Sequence, residues 1–214
     1  KDFGPGYRKQ EKDAAGISLG YPDKELFRYW NDRYTSIQRP KLEVFYTLST
    51  RRPYLIPDLK SYRSRITKIL DEIDLDWRTS RSLRSKRAKL ASMAYADDAL
   101  REFIGNHYRI KPEYKNTIFI ITGNSEQRSK LEKDKIASAQ VPLLIYSPLI
   151  EQPSEFNNLV SHADIAPALV QLLDEEYKLS MPDFEAWTGN NLSPERQNPG
   201  KEIVIYDEEG NIKS

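Results

Sequence analysis

Residues 116–125 read NTIFIITGNS, and this stretch decides the fold that the sequence predicts. The run from Ile118 to Ile121 is apolar at every position instead of at alternate positions. A strand with one wet face alternates, whereas a parallel strand covered on both faces is continuously apolar. Polar residues 122–125 end the run. The stretch therefore predicts a buried parallel strand that ends in a loop at the edge of a sheet.

Similar runs on both sides of this stretch extend the prediction. Amphipathic spacing predicts helices between the strands, the first of them opened by Asp23 as a cap. Alternating strands and helices indicate an α/β fold, with a mostly parallel sheet flanked by helices on both faces. Further strands are predicted at 42–48, 141–146 and 203–206, and helices at 23–34, 60–75, 90–107 and 161–173.

Composition sets limits on domain organisation and chemistry. Residues 1–22 are polar and glycine-rich and are predicted to be an N-terminal loop segment, followed by one domain over 23–214. The chain has no cysteine, which excludes disulfides and thiolate metal sites. The formal net charge is +1, so overall charge favours no class of partner. No apolar run approaches the roughly 20 residues of a membrane span.

Five blocks of sequence, in order over roughly residues 23–175, resemble one known family. Together they resemble the sulfatase family of the alkaline-phosphatase superfamily, and within it the lipoteichoic-acid-synthase-like branch. The blocks are YTLSTRRPY at 46–54, YADDALREFI at 95–104, NTIFIITG at 116–123, VPLLIYSP at 141–148 and SHADIAP at 161–167.

The resemblance implies a chemistry and a fold. The family transfers phosphoryl-type or sulfuryl groups with divalent metals such as manganese or zinc. Its nucleophile, a Thr or a modified Cys or Ser, lies in an N-terminal half that precedes the first matched block. The resemblance thus implies that residues 23–214 are the C-terminal part of an alkaline-phosphatase-like α/β domain. It also implies that the nucleophile is supplied from outside this chain, if at all.

Three residues depart from the family pattern where metal should bind. Arg51 stands in place of a His, and Asn124 and Ser125 stand in place of an Asp-His pair. Zinc and manganese sites use imidazole and carboxylate donors. Arg51 is always cationic and has no lone pair to give, Asn124 offers one neutral oxygen, and a protonated Ser125 is a poor ligand. We therefore expect no catalytic residues, no bound metal and no other cofactor here.

The same positions suit an anion better than a cation. Guanidinium groups and backbone amides bind sulfate and phosphate through charge-assisted hydrogen bonds. Arg51 and Arg52 are expected to share a crevice with the loop after the central strand, where α/β folds collect ligands. The alternative is a decayed site in a domain that serves as a scaffold. The candidate anion-binding residues are Arg51, Arg52, Gly123, Asn124 and Ser125.

Two further features have a functional and a structural interpretation. His162 lies in a Ser161-x-x-Asp164 pattern typical of a helix start, which favours a structural role over a metal ligand. The basic run 78–89 suits an anionic polymer or lipid headgroups, or else is a solvated helix face or a flexible loop. Trp77 is its one aromatic neighbour, so nucleic acid is not expected to bind.

Three hypotheses follow. The first is a pseudoenzyme domain, extracytoplasmic at the bacterial cell envelope (periplasmic or at the outer face of the inner membrane). Its expected partners are an anionic glycopolymer, a phospholipid headgroup or a partner chain. The second is an active phosphotransferase or ester hydrolase completed by an N-terminal half. The third is an unrelated α/β binding module, which the absence of a strand at 118–121 would favour.

Overall fold

The computed structural model describes residues 2–36, 39–124, 140–156 and 160–178, together with 187, 189 and 192. Contacts within the chain divide it into two compact units, Lys1–Thr117 and Ile118–Ser214. Residues 2–22 contain no helix or strand. The division into a loop segment 1–22 and a domain 23–214 stays a prediction.

The first unit is helical. The predicted helices near 23–34, 60–75 and 90–107 are confirmed with small shifts of their ends, and the basic run contributes a fourth. The helices are α1 (Asp23–Asp32), α2 (Leu59–Glu72), α3 (Trp77–Ser85) and α4 (Arg87–Glu102). A π-helix over Phe103–Tyr108 continues α4, and a 3-10 helix covers Pro112–Asn116.

Two apolar contacts hold this unit together. Between α2 and α4, the buried side chains of Ala91 and Tyr95 pack with Ile56. Between α1 and the π-helix, the rings of Phe27 and Phe103 stack with their centroids 4.3 Å apart. Dispersion and loss of apolar surface to water stabilise both contacts.

The second unit contains the only strands among the described residues, β1 (Phe119–Thr122) and β2 (Leu143–Tyr146). They pair antiparallel, with Phe119 opposite Tyr146 and Thr122 opposite Leu143. A 3-10 helix over His162–Asp164 then leads into α5 (Ile165–Tyr177).

For the described residues, the predicted mostly parallel sheet is wrong, although both strands lie where the sequence placed them. A continuously apolar run indicates that both faces are to be covered, but it does not encode the direction of the neighbouring strand. Nor are the faces covered: Leu144 is 56% exposed and Ile145 is 41% exposed. The structure therefore shows a mixture of helices and one small sheet.

The strand predicted at 42–48 is also wrong. This segment carries no helix or strand assignment, and its outward side chains Leu42 and Val44 are highly exposed. Phe45 alone turns inward, with its ring 5.3 Å from that of Phe103. Apolar and β-branched residues favour an extended chain, but a strand needs a neighbour for its hydrogen bonds, and the described residues supply none. The strand predicted at 203–206 lies outside the described residues.

No helix in the described ranges combines the length and the hydropathy needed to cross a lipid bilayer.

Candidate anion site

A buried clamp positions the segment that carries Arg51 and Arg52. Asp23, at the start of α1, is 2% exposed, and its Oδ1 accepts hydrogen bonds of 3.0 Å from the backbone N–H groups of Leu48 and Ser49. The Asp23 N–H in turn donates to Ser49 Oγ at 3.0 Å. Asp23 was expected to cap α1, but it holds this segment instead. Residues 47–50 are thereby fixed against the first turn of α1.

Arg51 and Arg52 lie on a turn directly after the clamp. The Arg51 N–H donates to Leu48 O at 3.0 Å, and the Tyr54 N–H donates to Arg51 O at 2.8 Å. Both arginine side chains are exposed. Neither forms an ion pair with a residue in the described ranges. Two uncompensated guanidinium groups on a fixed turn give this surface a positive local potential.

The end of β1 has a different kind of polar contact. Thr122 Oγ1 donates to Pro142 O at 2.9 Å, and it lies 3.2 Å from His162 Nε2. Because a hydroxyl has one proton and Thr122 gives it to Pro142, Nε2 acts as the donor to Thr122. A protonated Nε2 has no lone pair for a metal ion.

His162 was therefore interpreted correctly as part of a helix start, but its contact with Thr122 was missed. Ser161 Oγ accepts from the Ala163 N–H at 3.2 Å, and the Ser161 N–H donates to Asp164 Oδ2 at 2.7 Å. This is the predicted capping box, with Asp in the place of Glu. The Thr122 contact joins residues 40 positions apart, and no local pattern signals it.

Gly123 and Asn124 follow β1. A Cβ on Gly123 would lie 3.1 Å from the Val141 side chain, so the two segments approach closely and a larger residue would crowd them. Asn124 is exposed. Ser125 lies outside the described residues.

Arg51 and Arg52 belong to the first unit, and Gly123 and Asn124 to the second. Their assembly into one crevice stays a prediction.

The described residues do not fit the divalent metal that the family would use. They include no group of three His, Cys, Asp or Glu side chains that could hold a metal ion. The two buried carboxylates near these segments are Asp23 and Asp164, and both accept hydrogen bonds from backbone N–H groups. The donor set is cationic at Arg51 and amidic at Asn124, which is chemistry for an anion.

Comparison with known families gives one match. The family model described as "Sulfatase" matches residues 3–175, which is most of the 214-residue chain and includes all five sequence blocks. No curated protein and no solved structure matches the chain.

Proposed function

Since the chain belongs to the sulfatase family, we propose that it is a non-catalytic member of that family that binds a sulfate or phosphate group. In this proposal it belongs to the lipoteichoic-acid-synthase-like branch and works as a binding or scaffold domain. It acts outside the cytoplasm, at the bacterial cell envelope. There its partner is an anionic glycopolymer or a phospholipid headgroup, both of which present phosphate groups.

The observation that carries the proposal is the state of Arg51. It stands where the family pattern has a His, on a turn that the Asp23–Ser49 clamp holds in place. Its side chain is exposed and has no ion-pair partner among the described residues. A guanidinium there repels a dication and attracts an oxyanion.

The end of β1 supports the same proposal. The one imidazole beside it, His162, uses Nε2 to donate to Thr122. The nearby carboxylate of Asp164 is buried in the capping box. Donors that a metal would need are thus already engaged in holding the backbone.

Two measurements on the purified chain test the proposal. We expect elemental analysis of protein prepared without chelator to find no stoichiometric manganese or zinc. We expect titration with inorganic phosphate or sulfate to show weak binding, and Arg51→Ala to weaken it about tenfold, since a hydrogen bond to a charged group contributes roughly 1.5–3 kcal/mol. Arg109→Ala is the matched control, because Arg109 is also an exposed cation without an ion pair to a described residue.

One equivalent of a transition metal that is lost on Asn124→Ala would overturn the proposal. Phosphate binding that is equally strong in the Arg51 and Arg109 variants would reject the anion site.

The rival is a metal-dependent phosphotransferase or ester hydrolase completed by an N-terminal half. The observation in its favour is the exposed apolar side chain of Leu144 on a strand whose sequence suits a covered one. It predicts that a chain extended by the upstream half takes up metal. The same elemental analysis on that longer chain decides between the two.

A further inference from the structure

Helix α3 presents an exposed face that combines an indole with arginines. Asp76 begins the helix, with its Oδ1 accepting from the N–H groups of Arg78 at 2.9 Å and Thr79 at 3.1 Å. Trp77, Arg78 and Arg81 are exposed. At 100° per residue, positions i, i+1 and i+4 fall on one side of a helix. We call Trp77, Arg78 and Arg81 the α3 face.

The charge of this region is one-sided. From Trp77 to Leu90 the sequence has six Lys or Arg residues and no Asp or Glu. Arg84 is neutralised by Asp71, with Nη2 and Oδ1 2.6 Å apart. Arg78 and Arg81 form no ion pair with any residue in the ranges that the structure describes. The face is therefore complementary to an anionic surface.

Apolar side chains are exposed beside these cations. Trp77 is 68% exposed, and Ile73 and Ile69, on the last turn of α2 and just after it, are 50% and 40% exposed. The Arg78 guanidinium lies 5.2 Å from the centre of the Trp77 ring, so the cation is kept on the indole. Water offers nothing to these apolar groups, whereas the boundary between headgroups and acyl chains accepts Trp, Ile and Arg together.

We propose that the α3 face, with Ile73 at its edge, docks this domain onto an anionic lipid bilayer. A soluble anionic polymer would satisfy the arginines but would leave Ile69 and Ile73 in water. This surface shares no residue with the anion site at Arg51. Either proposal can therefore fail while the other stands.

The test is flotation of the full chain with vesicles of phosphatidylcholine alone or mixed with phosphatidylglycerol. We expect binding to the anionic vesicles that weakens as salt rises. Arg78→Gln and Arg81→Gln should each lower the partition coefficient about fivefold, as expected for one cation near an anionic leaflet. Trp77→Ala should lower it as well. Arg109→Gln and Ile110→Ala are the matched controls, since Ile110 is 75% exposed beside an exposed Arg109.

Fluorescence locates the contact. The chain has three Trp residues, and vesicle binding should shift the emission to the blue in the wild type but not in Trp77→Phe. Dextran sulfate is the competing probe. The proposal is overturned if the chain does not bind anionic vesicles, if the arginine variants bind like the wild type, or if dextran sulfate binds independently of Trp77 and displaces the vesicles.

Discussion

At the residue scale, Asp98 on α4 has the best-defined electrostatic environment. Its Oδ2 accepts hydrogen bonds from Tyr62 Oη at 3.0 Å and from Arg65 Nη1 at 2.7 Å. Burial by itself raises the pKa of Asp98, but these two hydrogen bonds and the charges of Arg65 and Arg101 outweigh it, and the pKa falls below 3.8. Burial and the bond to Asp98 raise the pKa of Tyr62 to about 12.

A pH dependence of stability follows from Asp98. A carboxyl with a lowered pKa in the folded state contributes stability above its unfolded pKa, and this contribution is lost as pH falls through the folded pKa. We expect the free energy of unfolding to fall as the pH drops below about 4, and to fall less steeply in Asp98→Asn. Urea unfolding at a series of acidic pH values measures both slopes.

Asp97→Asn is the control for that series. The Asp97 side chain is 67% exposed and pairs only with the equally exposed Arg101, so its ion pair contributes little. A slope in Asp98→Asn equal to that of wild type would show that the Tyr62–Asp98–Arg65 contacts do not stabilise the fold.

At the scale of elements, the Asp23–Ser49 clamp joins α1 to the segment that carries Arg51. Ser49 is 0% exposed, and removing its hydroxyl leaves the buried Asp23 N–H without an acceptor. Ser49→Ala should therefore lower the free energy of unfolding by about 1–3 kcal/mol. Asp23→Ala should cost more, since two buried N–H groups lose their acceptor. Urea unfolding at neutral pH measures both.

Ser64→Ala is the matched control for the clamp, because Ser64 lies exposed within α2. Alanine is the better helix former, so this change should leave stability unchanged or slightly higher. Equal effects of Ser49→Ala and Ser64→Ala would mean that the clamp does not hold the segment.

At the scale of the whole molecule, the second unit exposes the apolar side chains of its sheet. Leu144, Ile145 and Tyr146 are 56%, 41% and 38% exposed, on strands that are apolar at successive positions. Exposed apolar strands invite pairing with other chains. We therefore expect the 214-residue chain to associate with itself as its concentration rises, unless a partner chain or an upstream segment covers this sheet.

Light scattering over a range of concentrations tests that expectation. Leu144→Lys should favour the monomer, because a charge on an exposed strand opposes edge-to-edge pairing. Ile110→Lys, at an equally exposed apolar position of the first unit, should not. A wild-type chain that stays monomeric at high concentration would contradict the prediction.

Residues 1–22 were the other candidate cover for the sheet. In the structure, Phe3 stacks between Tyr21 and Tyr29, with ring centroids 3.9 and 4.0 Å away, and the segment belongs to the first unit.

The sequence by itself determined the features that depend on neighbours along the chain. The apolar spacing that defines α2 and α4 repeats every three to four residues, and the Ser161–Asp164 capping box spans four. Both are local, so both were predictable. The five ordered blocks likewise identified the sulfatase family, because order and spacing are properties of the sequence.

Only the tertiary structure decided which distant groups meet. Strand direction was mispredicted because the apolar run of β1 is the same for a parallel and an antiparallel partner. Asp23 carries a cap signature, yet its carboxylate binds N–H groups 25 and 26 residues away. His162 meets Thr122 across 40 residues. In each case the local options have similar energies, and the long-range partner decides between them.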